Sequence, residues 1–334
     1  MKILKRILKY ITVFLLILIL GFAGYVYSLT FTAEGRLDWG QALFAKLSSG
    51  QGDIGALKKM NLEQRRQVFS NIPYPEIATI DSLKITSDSL QIYIFKPKDV
   101  PTNSPIVVYY HGGGFVFPWT TISEARARKY AIALNKIVVG VDYRVAPENP
   151  YPIPNDDCYK TFKWVIDNGL SFGGNPDKIM LIGESAGATL TATVAQRARD
   201  EGLTNIKFQV LDCPAVDLPF KYESYKKLNK VYDHGGTQFT LDSYLPKLED
   251  RNNAKAFPLY ANLSGLPPAF VITCQFDVLK DQGLAYAEKL KRAKVPTKYL
   301  EVKGMLHTIP GPFNEKDRDK VTSLIVEETK KHIE

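Results

Sequence analysis

A mostly parallel β-sheet covered by helices on both faces is the α/β fold class that the sequence predicts, and three observations predict it. Short, continuous apolar runs recur along the chain, among them "IVVYY" (106–110), "KIVVGVDY" (136–143), "KIMLIG" (178–183), "FQVLDC" (208–213) and "AFVITCQF" (269–276). Strands buried on both faces read this way. Segments with helical spacing separate these runs, the rhythm of strand-helix-strand units. The length of 334 residues and a hydrophobic fraction of 45% suffice for one large core.

The elements follow in chain order. The stretch "ITVFLLILILGFAGYVYSL" (11–29) has no charge over 19 residues, close to the roughly 20 needed to cross a bilayer as a helix. Lys2, Lys5, Arg6 and Lys9 precede it with no acid among them, so the N-terminus is expected to stay inside and the rest to face outward. Residues 1–30 are therefore read as an uncleaved signal anchor that puts the protein at the cell membrane, single-pass and with its main body extracytoplasmic. Secretion after cleavage of a signal peptide is the alternative. Residues 31–80 predict a preface of helices, since "LDWGQALFAKLSS" and "MNLEQRRQVFSNI" space their apolar residues three and four apart. "LKITSDSLQIYIFKP" alternates on both sides of Asp88 and predicts an antiparallel hairpin. Helices are then expected near 122–134, 155–168, 186–200 and 282–293 and from 315 onward, with a last strand at "TKYLEV" (297–302). Residues 214–262 break the alternation. They are rich in aromatics, including Phe220, Tyr222, Tyr225, Tyr232, Phe239 and Tyr244, and predict an inserted cap, which leaves 81–213 and 263–334 as the core.

The formal charge of +8 suggests an anionic partner until it is located, because the four N-terminal cations account for half of it. No basic stripe interleaved with aromatics follows, so nucleic acid is excluded as a partner. Cys158, Cys213 and Cys274 are far apart in sequence and form no CxxC pair. That argues against a zinc site, a redox motif or a disulfide framework, and the three are read as buried, inert thiols.

Chemistry concentrates where strands end. Gly183, Glu184, Ser185, Ala186 and Gly187 form G-x-S-x-G between an apolar strand and a helix. A turn sharp enough to lift a serine hydroxyl out of a sheet leaves no room for side chains two positions away. A hydroxyl is a poor nucleophile at neutral pH and needs a base, which in turn needs an orienting acid. Asp277 follows one strand and His307 follows the next, in the chain order serine, acid, histidine. Asp281 competes with Asp277 but reads as a first-turn acid of the following helix. His332 lies in the terminal helix, His234 in the cap, and His111 in the run "HGGGF". That glycine run is open to three readings by itself: a phosphate cradle, a flexible loop, or a set of N–H donors for an oxyanion. A phosphate cradle would want Lys and Ser or Thr after its glycines, and "GGGFVFPW" has neither.

Taken together, "HGGGF" (111–115), "DYRVAPE" (142–148), "YPIPNDD" (151–157), "GESAG" (183–187), "GLPPAFVITCQFDVLKDQG" (265–283) and the late His307 resemble the hormone-sensitive-lipase-like carboxylesterases. The resemblance covers residues 80 to 310 and implies an α/β-hydrolase fold with a helical cap, hydrolysis of short or medium acyl esters, and no cofactor or metal. By residue it implies Ser185 as nucleophile, His307 as base, Asp277 as orienting acid, and Gly113, Gly114 and Ala186 as oxyanion donors. His111 is read as a brace for the glycine loop and Gly112 as the residue that permits its bend. The chain departs from the family pattern at Glu184, Val278 and Gln282 and at "HTI" after the base. Asp142, Arg144 and Glu148 are read as scaffold. Two rivals stand beside the esterase: an amidase or peptidase with the same triad, and a ligand-binding protein on an inactive hydrolase scaffold, similar to the plant gibberellin receptors. The presence of His307 speaks against the second.

Overall fold

In the computed structural model, residues 2–48, 54–68, 80–87, 90–229, 236–307 and 315–333 are described. Asp88, Tyr232 and His234 lie outside them. The chain opens with helix α1 (Lys2–Leu29), whose stretch Ile3–Leu29 is long and apolar enough to cross a membrane. From Ile3 to Tyr25 its side chains are exposed, and among the described residues it meets the rest of the protein in its last turn, where Val26 is buried, as is Thr30 just after it.

A hairpin of two-residue strands comes next, β1 (Phe31–Thr32) and β2 (Gly35–Arg36), followed by α2 (Trp39–Ser48), α3 (Ile54–Lys59) and α4 (Leu62–Gln67). The hairpin corrects the all-helical expectation for this region. Gly35 takes φ +123°, which reverses the chain within four residues, and strands this short leave no alternating pattern to read.

The remaining strands are β3 (Ile80–Ser87), β4 (Leu90–Pro97), β5 (Ser104–Tyr110), β6 (Ile137–Asp142), β7 (Gly174–Glu184), β8 (Ile206–Asp212), β9 (Ala269–Cys274) and β10 (Thr297–Val302). They form one sheet in the order β10-β9-β8-β7-β5-β6-β4-β3. All pairs are parallel except those of β4, which runs antiparallel to both β6 and β3. Helices α5 (Thr121–Leu134), α6 (Ile153–Asn168) and α7 (Ala186–Asp200) connect strands. Short α8 (Glu223–Leu228) and α9 (Thr237–Tyr244) lie between β8 and β9, and α10 (Lys280–Arg292) and α11 (Glu315–Ile333) close the chain.

Alternate residues of β5 explain the unbroken apolar run. Ile106, Val108 and Tyr110 pack with Phe162, Leu190 and Leu290 of α6, α7 and α10, whereas Val107 and Tyr109 pack with Ala127 and Tyr130 of α5 and Ile325 of α11. A strand apolar on both sides cannot alternate in sequence. The strand order also positions the chemistry. The chain steps from β5 to β6 on one side and then crosses to β7 on the other, so the loops after β5 and β7 diverge at a topological switch point. Tyr110 pairs with Gly183 and Glu184 with Asp212, which sets the glycine loop, the serine turn and the end of β8 side by side.

Candidate active site

At the end of β7, Ser185 holds φ 54° and ψ −119°, a backbone conformation that L side chains rarely adopt. Such strain costs on the order of 1–3 kcal/mol and persists only where surrounding packing enforces it. The two glycines are that packing. A Cβ on Gly183 would lie 2.1 Å from the Gly187 carbonyl oxygen, and one on Gly187 would lie 2.0 Å from the Tyr110 carbonyl oxygen. The Ser185 N–H donates to the Asp212 carbonyl at 2.8 Å, which ties the turn to β8.

Within the glycine loop, Gly113 (φ +120°), Gly114 (φ +60°) and Phe115 (φ +63°) take left-handed conformations. Gly112 does not, which corrects its assignment as the bending residue. It is bare because a Cβ there would sit 3.0 Å from the Glu184 carbonyl oxygen and 3.4 Å from Ser185 Cβ. The N–H groups of Gly113, Gly114 and Ala186 have no protein acceptor among the described residues. His111 is buried, stacks on Tyr143 with ring centroids 4.2 Å apart, and places Nδ1 2.7 Å from the Gly112 carbonyl oxygen. Burial pushes its pKa down to about 4, so it is a neutral brace at neutral pH. The segment between β8 and β9 covers the loop. Tyr244 stacks on Phe115 at 3.7 Å, and Thr240 Cγ2 lies 2.8 Å from the point where a Gly114 Cβ would be.

Asp277 follows β9 and is fully buried; His307 follows β10. His307 Nδ1 lies 2.7 Å from Asp277 Oδ2, and Asp277 Oδ1 accepts the Leu279 N–H at 2.9 Å. Burial works against a charged imidazole, but the Asp277 charge and hydrogen bond outweigh it, and the His307 pKa is raised above the ordinary 6.5. Asp281 is engaged elsewhere: its Oδ2 accepts the Ser224 N–H at 2.8 Å at the start of α8. His332 stacks on Phe208 with centroids 4.5 Å apart. Cys213 Sγ lies beside the acid and base, within 4.8 Å of their ligand atoms, and 3.5 Å from Cys274 Sγ. Burial and the Cys274 contact push the pKa of the Cys213 thiol well up.

Beneath the serine turn is a buried charge network that the sequence did not signal. Glu184 Oε1 accepts the Tyr130 hydroxyl at 2.7 Å, and Glu184 carboxylate oxygens lie 3.8 Å from both Arg126 and Arg318. Arg318 Nη2 donates to Asp212 Oδ2 at 2.5 Å with its side chain 2% exposed. One guanidinium thus braces the residue before Ser185 and the residue whose carbonyl holds the Ser185 amide. Within "EKDRDK" an arginine reads as surface, and only the fold turns it inward. Arg318→Met is expected to destabilise the protein by about 3–5 kcal/mol in urea unfolding, because it leaves the buried Asp212 carboxylate without its guanidinium and takes one of two from Glu184. A loss under 1 kcal/mol by that measurement would show the network to be dispensable.

The other motif residues serve as scaffold. Asp142 accepts the Trp119 N–H at 2.9 Å and pairs with Arg66 at 2.8 Å, Arg144 forks onto Asp157, and Glu148 pairs with the buried Arg65 of α4. The departures fit as well: Gln282 Oε1 accepts the Asp217 N–H at 2.9 Å, and Val278 joins an apolar cluster with Phe276 and Leu306.

Comparison with known proteins bears on the fold and the family. A family model described as alpha/beta hydrolase fold matches residues 107–310. Carboxylesterase NlhH of Mycobacterium tuberculosis is 36% identical over 224 residues, which is 65% of this chain and 70% of that protein. Esterase LipI of the same organism is 32% identical over 263 residues, covering 75% and 82%. Among solved structures, an arylesterase superposes with a TM-score of 0.77 at 29% identity, covering 87% of this chain and 97% of the other.

Proposed function

Because the chain belongs to the hormone-sensitive-lipase-like carboxylesterases of the α/β-hydrolase fold and is an ester hydrolase, we propose that it cleaves short- to medium-chain acyl esters through a serine acyl-enzyme. The observation that carries this reading is the 2.7 Å hydrogen bond between Asp277 and His307 at the carboxyl edge of the sheet that presents Ser185. His307, with its Nδ1–H donating a hydrogen bond to the Asp277 carboxylate, has Nε2 as the basic nitrogen. Nε2 takes the Ser185 hydroxyl proton as Oγ bonds to the ester carbonyl carbon, and the pair at Nδ1 stabilises the imidazolium formed. The carbonyl oxygen becomes an oxyanion, which the free N–H groups of Gly113, Gly114 and Ala186 stabilise. Collapse expels the alcohol, which takes the proton from Nε2. Water then repeats the sequence on the acyl-enzyme and releases the acid.

The close approach of Thr240 and Tyr244 over the glycine loop supports a small acyl site. Residues 214–262 act in this reading as the cap. Residues 1–30 act as a retained anchor, with the catalytic body on the far side of the membrane from the basic N-terminus. Burial of Val26 and Thr30 against the body supports retention.

An acyl-chain series of p-nitrophenyl esters, run beside the matching p-nitroanilides, tests the reaction class and sizes the pocket. Turnover is expected on acetyl to hexanoyl esters, falling for longer chains, with the anilides essentially inert. Equal rates on ester and anilide would replace the esterase by an amidase.

A further inference from the structure

Where α1 leaves its apolar stretch, the chain builds a cleft of about 480 Å³ that the esterase reaction does not use. We propose that this cleft binds the phosphate headgroup of an anionic bilayer lipid, a reading that rests on α1 being a membrane span.

Depth is the first argument. The 27 residues of Ile3–Leu29, at a rise of about 1.5 Å each, exceed the roughly 30 Å of hydrocarbon in a bilayer, so both ends lie among headgroups. Exposed Tyr10 marks one end beside Lys9, and exposed Tyr25 and Tyr27 mark the other. Aromatic side chains of this kind settle at the two interfaces. The cleft is lined by Tyr27 and Thr30 from the end of the helix and by Arg36, Trp39 and Lys303, so it sits at headgroup level.

Charge is the second. The β1–β2 hairpin folds Arg36 back so that its guanidinium lies 4.8 Å from the Tyr27 ring and 5.2 Å from that of Phe31. No carboxylate pairs with it among the described residues. Lys303 is 75% exposed, and its contact with Glu301 is solvent-screened and therefore weak. Asp38 is the one carboxylate lining the cleft, against these two cations. A guanidinium fork and an ammonium facing one cavity are the donors that a phosphate takes.

Position gives the site a consequence. Gln275 and Gly304 also line the cleft and are bonded to each other, Gly304 N–H to Gln275 Oε1 at 2.9 Å. They precede Asp277 and His307 by two and three residues. A bound headgroup therefore touches the roots of both loops.

The test uses the full chain in phosphatidylcholine vesicles titrated with phosphatidylglycerol, reading the tryptophan emission that Trp39→Phe removes. A saturable change is expected, with its midpoint moved about 30-fold to higher lipid in Arg36→Gln/Lys303→Gln. Lys303→Gln alone, at an exposed position, is expected to move it part of the way and guards against misfolding of the double variant. No response to the anionic lipid, or identical midpoints in all variants, would overturn the proposal. A response reproduced by inorganic phosphate with no anionic lipid would assign the cleft to a soluble anion instead. Flotation of the same vesicles after alkaline washing separates the premise: protein stripped from the membrane fails the span, whereas protein retained with silent Trp39 fails the headgroup site alone.

Discussion

Ser185→Ala is expected to lower kcat on p-nitrophenyl butyrate by about 10⁴- to 10⁶-fold while far-UV circular dichroism stays unchanged. The strained turn is fixed by Gly183, Gly187 and the Asp212 carbonyl, none of which touches the hydroxyl, so alanine keeps the backbone and loses only Oγ. Relief of strain does not follow either, since φ 54° is as unfavourable for alanine as for serine. Residual activity within tenfold of the parent would move the nucleophile elsewhere.

Asp277→Asn is expected to lower kcat by about 10⁴-fold, because an amide can hold the imidazole in the wrong tautomer and cannot stabilise its cation. Asp281→Asn, by contrast, disturbs only the bond to the Ser224 N–H at the start of α8 and leaves kcat within a few-fold. The reverse pattern would exchange their roles. The pH profile separates a positioning effect from general damage. In the parent, protonated His307 cannot accept a proton, so activity is lost as pH falls through its raised pKa, above 6.5. Removing the Asp277 charge leaves burial as the largest influence on the ring, with the Asp212 and Arg318 charges opposing each other, and the acid limb of the residual activity is expected to move to lower pH. Stability carries the opposite sign. A raised histidine pKa stabilises the folded state fully below the unfolded value and is lost as pH rises through the folded one, and this contribution vanishes in the variant. An unshifted limb would detach the titration from His307.

What the sequence disclosed follows from where information is local. Strands β5 to β9 were legible because both faces are buried, and an apolar run then needs no partner to be recognised. Ser185, Asp277 and His307 could be put forward as candidates because each lies just past a strand end, where parallel sheets expose side chains to a common rim. Gly112 was misjudged since glycine serves both positive φ and close approach, and only the register of Tyr110 with Gly183 separates the two. The β1–β2 hairpin is too short to leave a period. Arg318, Asp212 and Gln41, whose Oε1 accepts the Leu306 N–H at 3.1 Å beside His307, act across 106 and 265 residues of chain, beyond any window of sequence.

In its described residues the segment between β8 and β9 adds no strand to the sheet, yet it sends Thr240 and Tyr244 onto the glycine loop. An insertion of this kind can alter what reaches the glycine loop without altering the order or register of the strands. The serine turn has no such latitude, because its two glycines stand about 2 Å from backbone atoms that any added carbon would meet.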